Sequence, residues 1–207
     1  MKFTVDKDRH AKLRRAIARL AEPARRWVSL DFFTVAEIAS LTELAQKQAF
    51  RTAQAEIKHK ANSVFQDFEV CFPAPRIGVF DALATCLEIN LIAAAADLPK
   101  TPFSTPFRFD DFAIQRYAPG SRGIGIHRDG KRYKHIVVII TLAGQSRLFS
   151  TETRDGLLRK KIDDRPGRLV LLSADGFLDR HDDDARPLHG VDRVFGGRLS
   201  VGLRSFG

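Results

Sequence analysis

Cysteine is scarce in this chain: its 207 residues include only Cys71 and Cys86. Two thiols cannot build a disulfide framework and their spacing matches no zinc motif, so both are expected to stay reduced and buried. Long hydrophobic runs are also missing. No stretch of about 18 apolar residues occurs, and the opening Met-Lys-Phe-Thr-Val-Asp lacks the apolar segment of a secretory signal. The expectation is a soluble, cytoplasmic protein with no membrane partner. Internal repeats and low-complexity tracts are absent, which excludes a repeat array. Acidic residues are outnumbered, 25 against 34 basic, for a formal net charge of +9. The imbalance is local: 13 basic face 7 acidic residues in 1–60, 3 face 7 in 61–111, and 18 face 11 in 112–207. The basic excess therefore sits at the two ends of the chain. Such a field attracts polyanions, although a solvated surface in a basic protein explains the charge equally well.

With 44% hydrophobic residues the chain can bury one substantial core, and a single compact domain is expected. Leu13, Ile17, Leu20 and Ala24 fall at helical spacing within 6–26, where Pro23 bends or ends the helix. Thr34 followed by Glu37 forms a capping-box pattern that predicts a second helix running to about Lys60. A third is predicted over 81–98, with Asp81 as cap and Pro99 as stop, its apolar residues covering a sheet. Three prolines make 99–106 a loop and the best internal boundary. Beyond it, extended segments recur at Phe112–Tyr117, Ile124–His127, His135–Leu142, Arg147–Ser150, Leu157–Ile162, Arg168–Ser173, Leu188–Val191 and Arg198–Phe206, separated by glycine and proline turns. This pattern predicts an α+β protein: an N-terminal helical support region, 1–108, packed on an antiparallel barrel or sandwich, 109–207.

Within the strand-rich half, His127-Arg128-Asp129 is followed 62 residues later by His189 and then by Arg198-Leu199-Ser200. Two imidazoles and one carboxylate on one face of Fe(II) leave three coordination positions open for a chelating cosubstrate and dioxygen, whereas a structural zinc site closes with four ligands. Residues two apart on extended chain share a side, so His127 and Asp129 can converge while Arg128 points away. From Arg198 onward, period two sets Arg198, Ser200, Gly202 and Arg204 on a polar, cationic face and Leu199, Val201 and Leu203 on the other. A guanidinium fork with a neighbouring hydroxyl suits a carboxylate, and the face as a whole suits a dicarboxylate.

These residues resemble the Fe(II)/2-oxoglutarate-dependent dioxygenases. Gln115-Arg116-Tyr117-Ala118-Pro119-Gly120 resembles the Asn-Arg-Tyr-Ala-Pro-Gly strand and turn of the AlkB-like nucleic-acid dealkylases, and Arg198 with Arg204 resembles their Arg-x-Asn-x-Thr-x-Arg signature. Leu30-Asp31-Phe32-Phe33-Thr34 and the helix after it also resemble the segment preceding the barrel in prolyl-hydroxylase-like oxygenases. The AlkB-like resemblance spans roughly 109–207 and implies a double-stranded β-helix (jelly-roll) core. It further implies Fe(II) on His127, Asp129 and His189, and 2-oxoglutarate with its distal carboxylate on Arg198, Ser200 and Tyr117. Gln115 would stand where the subgroup has Asn, and Arg204 would lie near the metal-proximal carboxylate. With O2 the implied reaction is hydroxylation with release of succinate and CO2. Ser200 and Gly202 depart from the subgroup's Asn and Thr, the run from Gly120 to His127 is long, and Arg-x-Ser also occurs in oxygenases of small molecules. An alkylated base in nucleic acid, a protein side chain and a small metabolite all stay open as substrates.

Other residues compete for roles. His135 precedes the apolar run Ile136–Ile140 and reads as structural, while His181, the rival of His189, sits in a charged loop without an Arg-x-Ser behind it. The acidic run Asp182–Asp184 reads as a surface loop near the site entrance that would repel a polyanion. Arg122, Arg128, Lys131, Arg132 and Lys134 cluster around the first two ligands and would steer a phosphate. Trp27 and Phe103 could stack on a base, with packing as the plainer use. A reading from another class is a non-catalytic, basic nucleic-acid-binding β-sandwich, which leaves the spacing of His127, Asp129, His189 and Arg198 as coincidence.

Overall fold

The computed structural model describes residues 3–59, 62–103 and 106–207. The chain runs α1 (Lys7–Ala21), β1 (Trp27–Asp31), α2 (Val35–Gln46), β2 (Arg51–Thr52), β3 (Glu56–His59), β4 (Asn62–Asp67), β5 (Glu69–Cys71) and α3 (Gly78–Ala95). It continues with β6 (Asp111–Tyr117), β7 (Gly123–His127), β8 (Lys134–Gly144), β9 (Arg147–Thr151), β10 (Lys160–Lys161), β11 (Arg168–Ser173), α4 (Asp182–Ala185), β12 (Leu188–Asp192) and β13 (Arg198–Ser205).

The helix starts follow local chemistry. Asp6 caps α1, accepting from the Arg9 amide at 2.8 Å. Thr34 and Glu37 form the predicted reciprocal box at the head of α2: the Glu37 amide donates to Thr34 Oγ1 at 3.2 Å and the Thr34 amide to Glu37 Oε2 at 2.7 Å. The third helix begins earlier than expected, and Asp81 lies in its first turn, where it takes Arg76 at 2.8 Å rather than capping. By length and composition α3 is apolar enough to cross a membrane, but Leu83, Leu87 and Leu91 are buried in the core. Its buried Glu88 accepts from the Phe109 amide at 2.6 Å and pairs with Arg76 at 2.6 Å, tying the helix to the start of β6.

Two predicted elements are corrected. Residues 47–60 do not continue α2, because 51–71 form four short strands with cross-strand partners. β5 pairs with β6 and β4 with β7, and such tertiary pairing overrides a modest helix propensity. The segment Leu157–Ile162 contributes only Lys160–Lys161, and β1, unpredicted, forms after α1 by pairing Trp27–Asp31 with β11.

All ladders between the strands are antiparallel, giving a seven-stranded sheet, β1-β11-β8-β13-β6-β5-β2, and a six-stranded sheet, β10-β9-β12-β7-β4-β3. The first 108 residues thus supply strands to both sheets as well as α1–α3. One core lies outside the larger sheet, where α1, α2 and α3 cover Ile114, Ile136, Val138, Ile140, Leu171, Leu199, Val201 and Leu203. The other lies between the sheets, built from Tyr117, Val137, Leu148, Val170, Leu172 and Val191. Burying each such aliphatic side chain contributes roughly 1.5–3 kcal/mol. Because β8 is apolar on both faces it is central, and because β13 is apolar on one face only, its Arg198–Arg204 face is delivered between the sheets.

Candidate active site

His127 and His189 are cross-strand neighbours, paired in register between β7 and β12, with ring centroids 4.4 Å apart. Gly123 makes that pairing possible. A Cβ on it would stand 1.9 Å from the Val191 carbonyl oxygen, and its φ is +86°, so only glycine lets the two backbones close. Each ring is oriented by a backbone carbonyl two residues earlier: His127 Nδ1 lies 2.8 Å from Gly125 O and His189 Nδ1 3.1 Å from Pro187 O. Carbonyls only accept, so each Nδ1 carries a proton, which leaves Nε2 as the position a metal would take.

Asp129 follows the end of β7 and brings its carboxylate to the pair, Oδ2 standing 3.5 Å from His189 Nε2 while Oδ1 accepts from Arg204 Nε at 3.0 Å. Arg128 turns away, donating to the Arg186 carbonyl at 2.9 Å. Arg186, buried, donates in return to the Asp129 carbonyl at 2.7 Å, so the two arginines clasp the chain after β7 to the chain before β12.

Burial, helped by the charge of His189 and opposed by Asp129, pushes His127 down to about 4. Burial would raise the Asp129 carboxyl, but the Arg204 guanidinium and the two imidazoles outweigh it and hold it at about 2. His127 is therefore a neutral imidazole and Asp129 a carboxylate near neutral pH, the forms in which they can act as metal ligands. As pH falls from 6.5 toward 4 the unfolded chain takes up a proton at this histidine before the folded one does. The stability contributed by His127 is thus complete above 6.5 and lost across that window, on the order of 3 kcal/mol. Asp129 extends the loss from 3.8 down to about 2. Urea midpoints of the metal-free protein are expected to fall across the first window and to flatten in His127→Gln; an unchanged profile in that variant would assign the acid sensitivity elsewhere.

Arg198 is buried, and its Nη1 is paired with Asp164 and donates to Ser146 Oγ at 3.1 Å. Asp164, itself buried, also accepts from Thr141 Oγ1 at 2.8 Å. Arg198 Nε is buried with no hydrogen-bond partner. Tyr117 lies opposite Arg198 in register, with its hydroxyl 3.4 Å from Gln115 Oε1 and its acidity suppressed by burial. A cavity of about 40 Å³ is lined by Gln115, Tyr117, His127, Asp129, His189, Arg198, Ser200 and Arg204. The structure thus brings every candidate site residue to one place. Among the described residues no three His, Cys, Asp or Glu side chains are placed to hold a metal ion together, and Arg204 holds one oxygen of Asp129.

The rivals lie elsewhere. His135 packs edge-on to Phe103 and Phe107 at 6.4 Å, and His181 is exposed, 3.8 Å from Asp175. The acidic run is a short helix rather than a bare loop, and its charge is matched: Asp182 pairs with Lys131, Asp183 with Arg186 at 2.9 Å, and Asp184 with Arg26 at 2.6 Å. It does not present an unopposed repulsive field. Asp164 and Arg186 escaped the sequence-based reading. Period two from the buried Ile162 places Asp164 inward, a signal masked by its setting in the charged turn Asp163-Asp164-Arg165-Pro166-Gly167.

No protein-family model matches the chain, and no curated protein matches it significantly. Solved structures do. A Pseudomonas putida prolyl-4-hydroxylase aligns at 15% identity with a TM-score of 0.63, covering 93% of this chain and 98% of its own. A Burkholderia pseudomallei oxidoreductase of the 2OG-Fe(II) oxygenase family aligns at 15% identity and 0.61, covering 100% and 95%. OsALKBH1 aligns at 15% identity and 0.58, covering 88% and 98%. Two facing antiparallel sheets, helices against the larger one, and an alignment with these proteins over nearly their whole length show that this chain has the double-stranded β-helix fold of the Fe(II)/2-oxoglutarate-dependent oxygenases.

Proposed function

We propose that this chain is an Fe(II)- and 2-oxoglutarate-dependent dioxygenase that hydroxylates its substrate, with AlkB-like oxidation of an alkylated base in nucleic acid as the favoured reaction. Residues 109–207 carry the chemistry and 1–108 support it within one compact domain. The observation that carries the reading is the convergence, in one cavity of this fold, of two imidazoles whose Nδ1 atoms face backbone carbonyls, an ionised carboxylate and a buried guanidinium whose Nε is unpartnered.

The donor set suits Fe(II): His127, His189 and Asp129 would hold it and leave room for a chelating cosubstrate. The unpartnered Nε of Arg198 suits the distal carboxylate of 2-oxoglutarate, with Ser200 and Tyr117 beside it, Gln115 orienting Tyr117 and Arg204 at the proximal end. Bound Fe(II), 2-oxoglutarate and O2 supply the oxidising chemistry, whose products are succinate, CO2 and hydroxylated substrate. The chain's own share is to place these groups, keep His127 unprotonated and exclude water.

Each arginine meant for the diacid already has an internal counter-ion: Arg204 has Asp129 and Arg198 has Asp164. The two ion pairs cancel, and a divalent cation with a dianion adds no net charge, which favours entry of the two together. The cavity of about 40 Å³ has space for a few waters, so a five-carbon diacid enters only as side chains give way.

Two features support the nucleic-acid substrate: the Gln115–Gly120 strand and turn, and the paired arginines Arg198 and Arg204 on one face. The matched charge of Asp182–Asp184 removes an objection to it. The prolyl-4-hydroxylase likeness favours a protein side chain as the second reading.

The test is optical. Anaerobic Fe(II) with 2-oxoglutarate is expected to give a visible metal-to-ligand band; salt-dependent DNA binding without that band would favour the non-catalytic β-sandwich instead. Arg198→Lys keeps the charge and loses the fork, so the apparent Kd for 2-oxoglutarate should rise by about tenfold or more with iron binding intact. An unchanged Kd removes Arg198 from this role.

A further inference from the structure

A second concavity, of about 210 Å³, shares no residue with the proposed iron site. It forms where outer strands of both sheets come together: β1 borders the seven-stranded sheet and β10 the six-stranded one. Four separate elements supply its charge, with Arg19 from the last turn of α1, Arg25 just before β1, Lys161 from β10 and Arg168 from β11. Its one lining carboxylate, Asp163, is engaged by Arg165 at 3.1 Å and Arg168 at 3.3 Å. Arg168 is further held by Asp31 at 2.8 Å.

Three cations are left over. Arg19 and Lys161 have no acidic partner among the described residues, and Arg25 reaches Glu22 only at 3.9 Å. The end of α1 would normally oppose an anion, because its last carbonyls carry negative partial charge. Here Arg180 covers them, donating to the carbonyls of Leu20 at 3.1 Å, Ala21 at 2.8 Å, Glu22 at 2.8 Å and Arg25 at 2.9 Å. The field in the concavity is therefore positive, and Arg15, exposed and one turn before Arg19 on the same helix face, extends it.

An aromatic residue also lines the concavity. Trp27 is half-buried, packed against the inter-sheet core, and lines the space beside these cations. A fixed indole next to unpaired guanidinium and ammonium groups matches a phosphate joined to a planar base. The volume lies below the roughly 300–1,000 Å³ of drug-sized pockets, which suits one such unit with the rest of a strand running outside.

We propose that this concavity binds single-stranded nucleic acid, seating one phosphate among Arg19, Arg25 and Lys161 and stacking its base on Trp27. The assignment stands independently of the proposed oxidation, since it uses none of the same side chains.

Trp27 is the only tryptophan, so intrinsic fluorescence of the whole protein reports on this site directly. The probes are an oligothymidylate of about ten nucleotides, thymidine monophosphate, tripolyphosphate and a serine-phosphorylated peptide, at about 50 and 200 mM salt. The oligothymidylate is expected to quench saturably, with a Kd at least about tenfold below that of the mononucleotide. Arg19→Glu with Lys161→Glu should raise that Kd by about tenfold or more and lower the logarithmic salt slope by about one to two. Trp27→Phe, followed by anisotropy of a labelled strand, should keep binding, and Trp27→Ala should lose it by about tenfold, the fold of each variant being checked by circular dichroism.

Equal binding of tripolyphosphate would reduce the site to a plain cationic patch. A mononucleotide as tight as the strand would make a free nucleotide the occupant, and tighter phosphopeptide binding would make it a protein. Any of these overturns the proposal, as does wild-type affinity in the charge-reversed variant.

Discussion

Asp129→Ala is expected to abolish iron-dependent succinate formation, lowering it by at least about 100-fold, since even groups one bond beyond a metal ligand contribute 10–100-fold. Two effects combine in this variant. The proposed iron would lose its only anionic ligand, and Arg204, which donates to Asp129 at 3.0 Å, loses its counter-ion in a largely buried position. Asp129→Asn separates them: the amide oxygen can still accept from Arg204, while the charge is gone. Iron titration of both variants should show weak binding, with the larger loss of thermal stability in the alanine variant. Wild-type succinate formation in either would remove Asp129 from the ligand set.

Asp164→Ala is expected to have the largest effect on stability, because it strands the Arg198 guanidinium between the sheets. Breaking a buried ion pair by removing one partner costs about 3–5 kcal/mol, whereas replacing both with apolar groups is close to neutral. Here the pair is among the most enclosed in the molecule, with side-chain exposures of 2% and 7%. Asp164→Leu combined with Arg198→Met should therefore regain most of what the single change loses, measured by urea unfolding. A single variant that unfolds at the wild-type midpoint would show that Arg198 needs no counter-ion there. The double variant should also fail to bind 2-oxoglutarate, although it folds.

The residues of the candidate site were more legible in the sequence than the scaffold around them. His127, Asp129 and His189 declare themselves by ligand chemistry and spacing, and the Arg198–Arg204 face by strict alternation with Leu199, Val201 and Leu203. Such signals are local and survive without knowledge of the fold. The strands of 51–71 are not local in this sense. Arg51–Thr52 is two residues long, and β4 and β5 acquire their extended form from β7 and β6, more than 40 residues away. In isolation the same stretch reads as the continuation of a well-capped helix. Asp164 was hidden for a related reason. An aspartate among charged turn residues is ordinarily solvated, and only the arrival of Arg198 and Thr141 from two neighbouring strands turns it into an enclosed anion.

The backbone pairing of His127 with His189 bears on how the protein would respond to chelators. The two imidazoles are held in proximity by hydrogen bonds between main chains, so the order a metal would need of them is created during folding itself rather than by an incoming cation. Zinc fingers behave oppositely, collapsing when stripped because the ion alone gathers their ligands. Dialysis against a strong chelator should accordingly leave this polypeptide folded, with its circular dichroism intact, and ready to be reloaded without refolding.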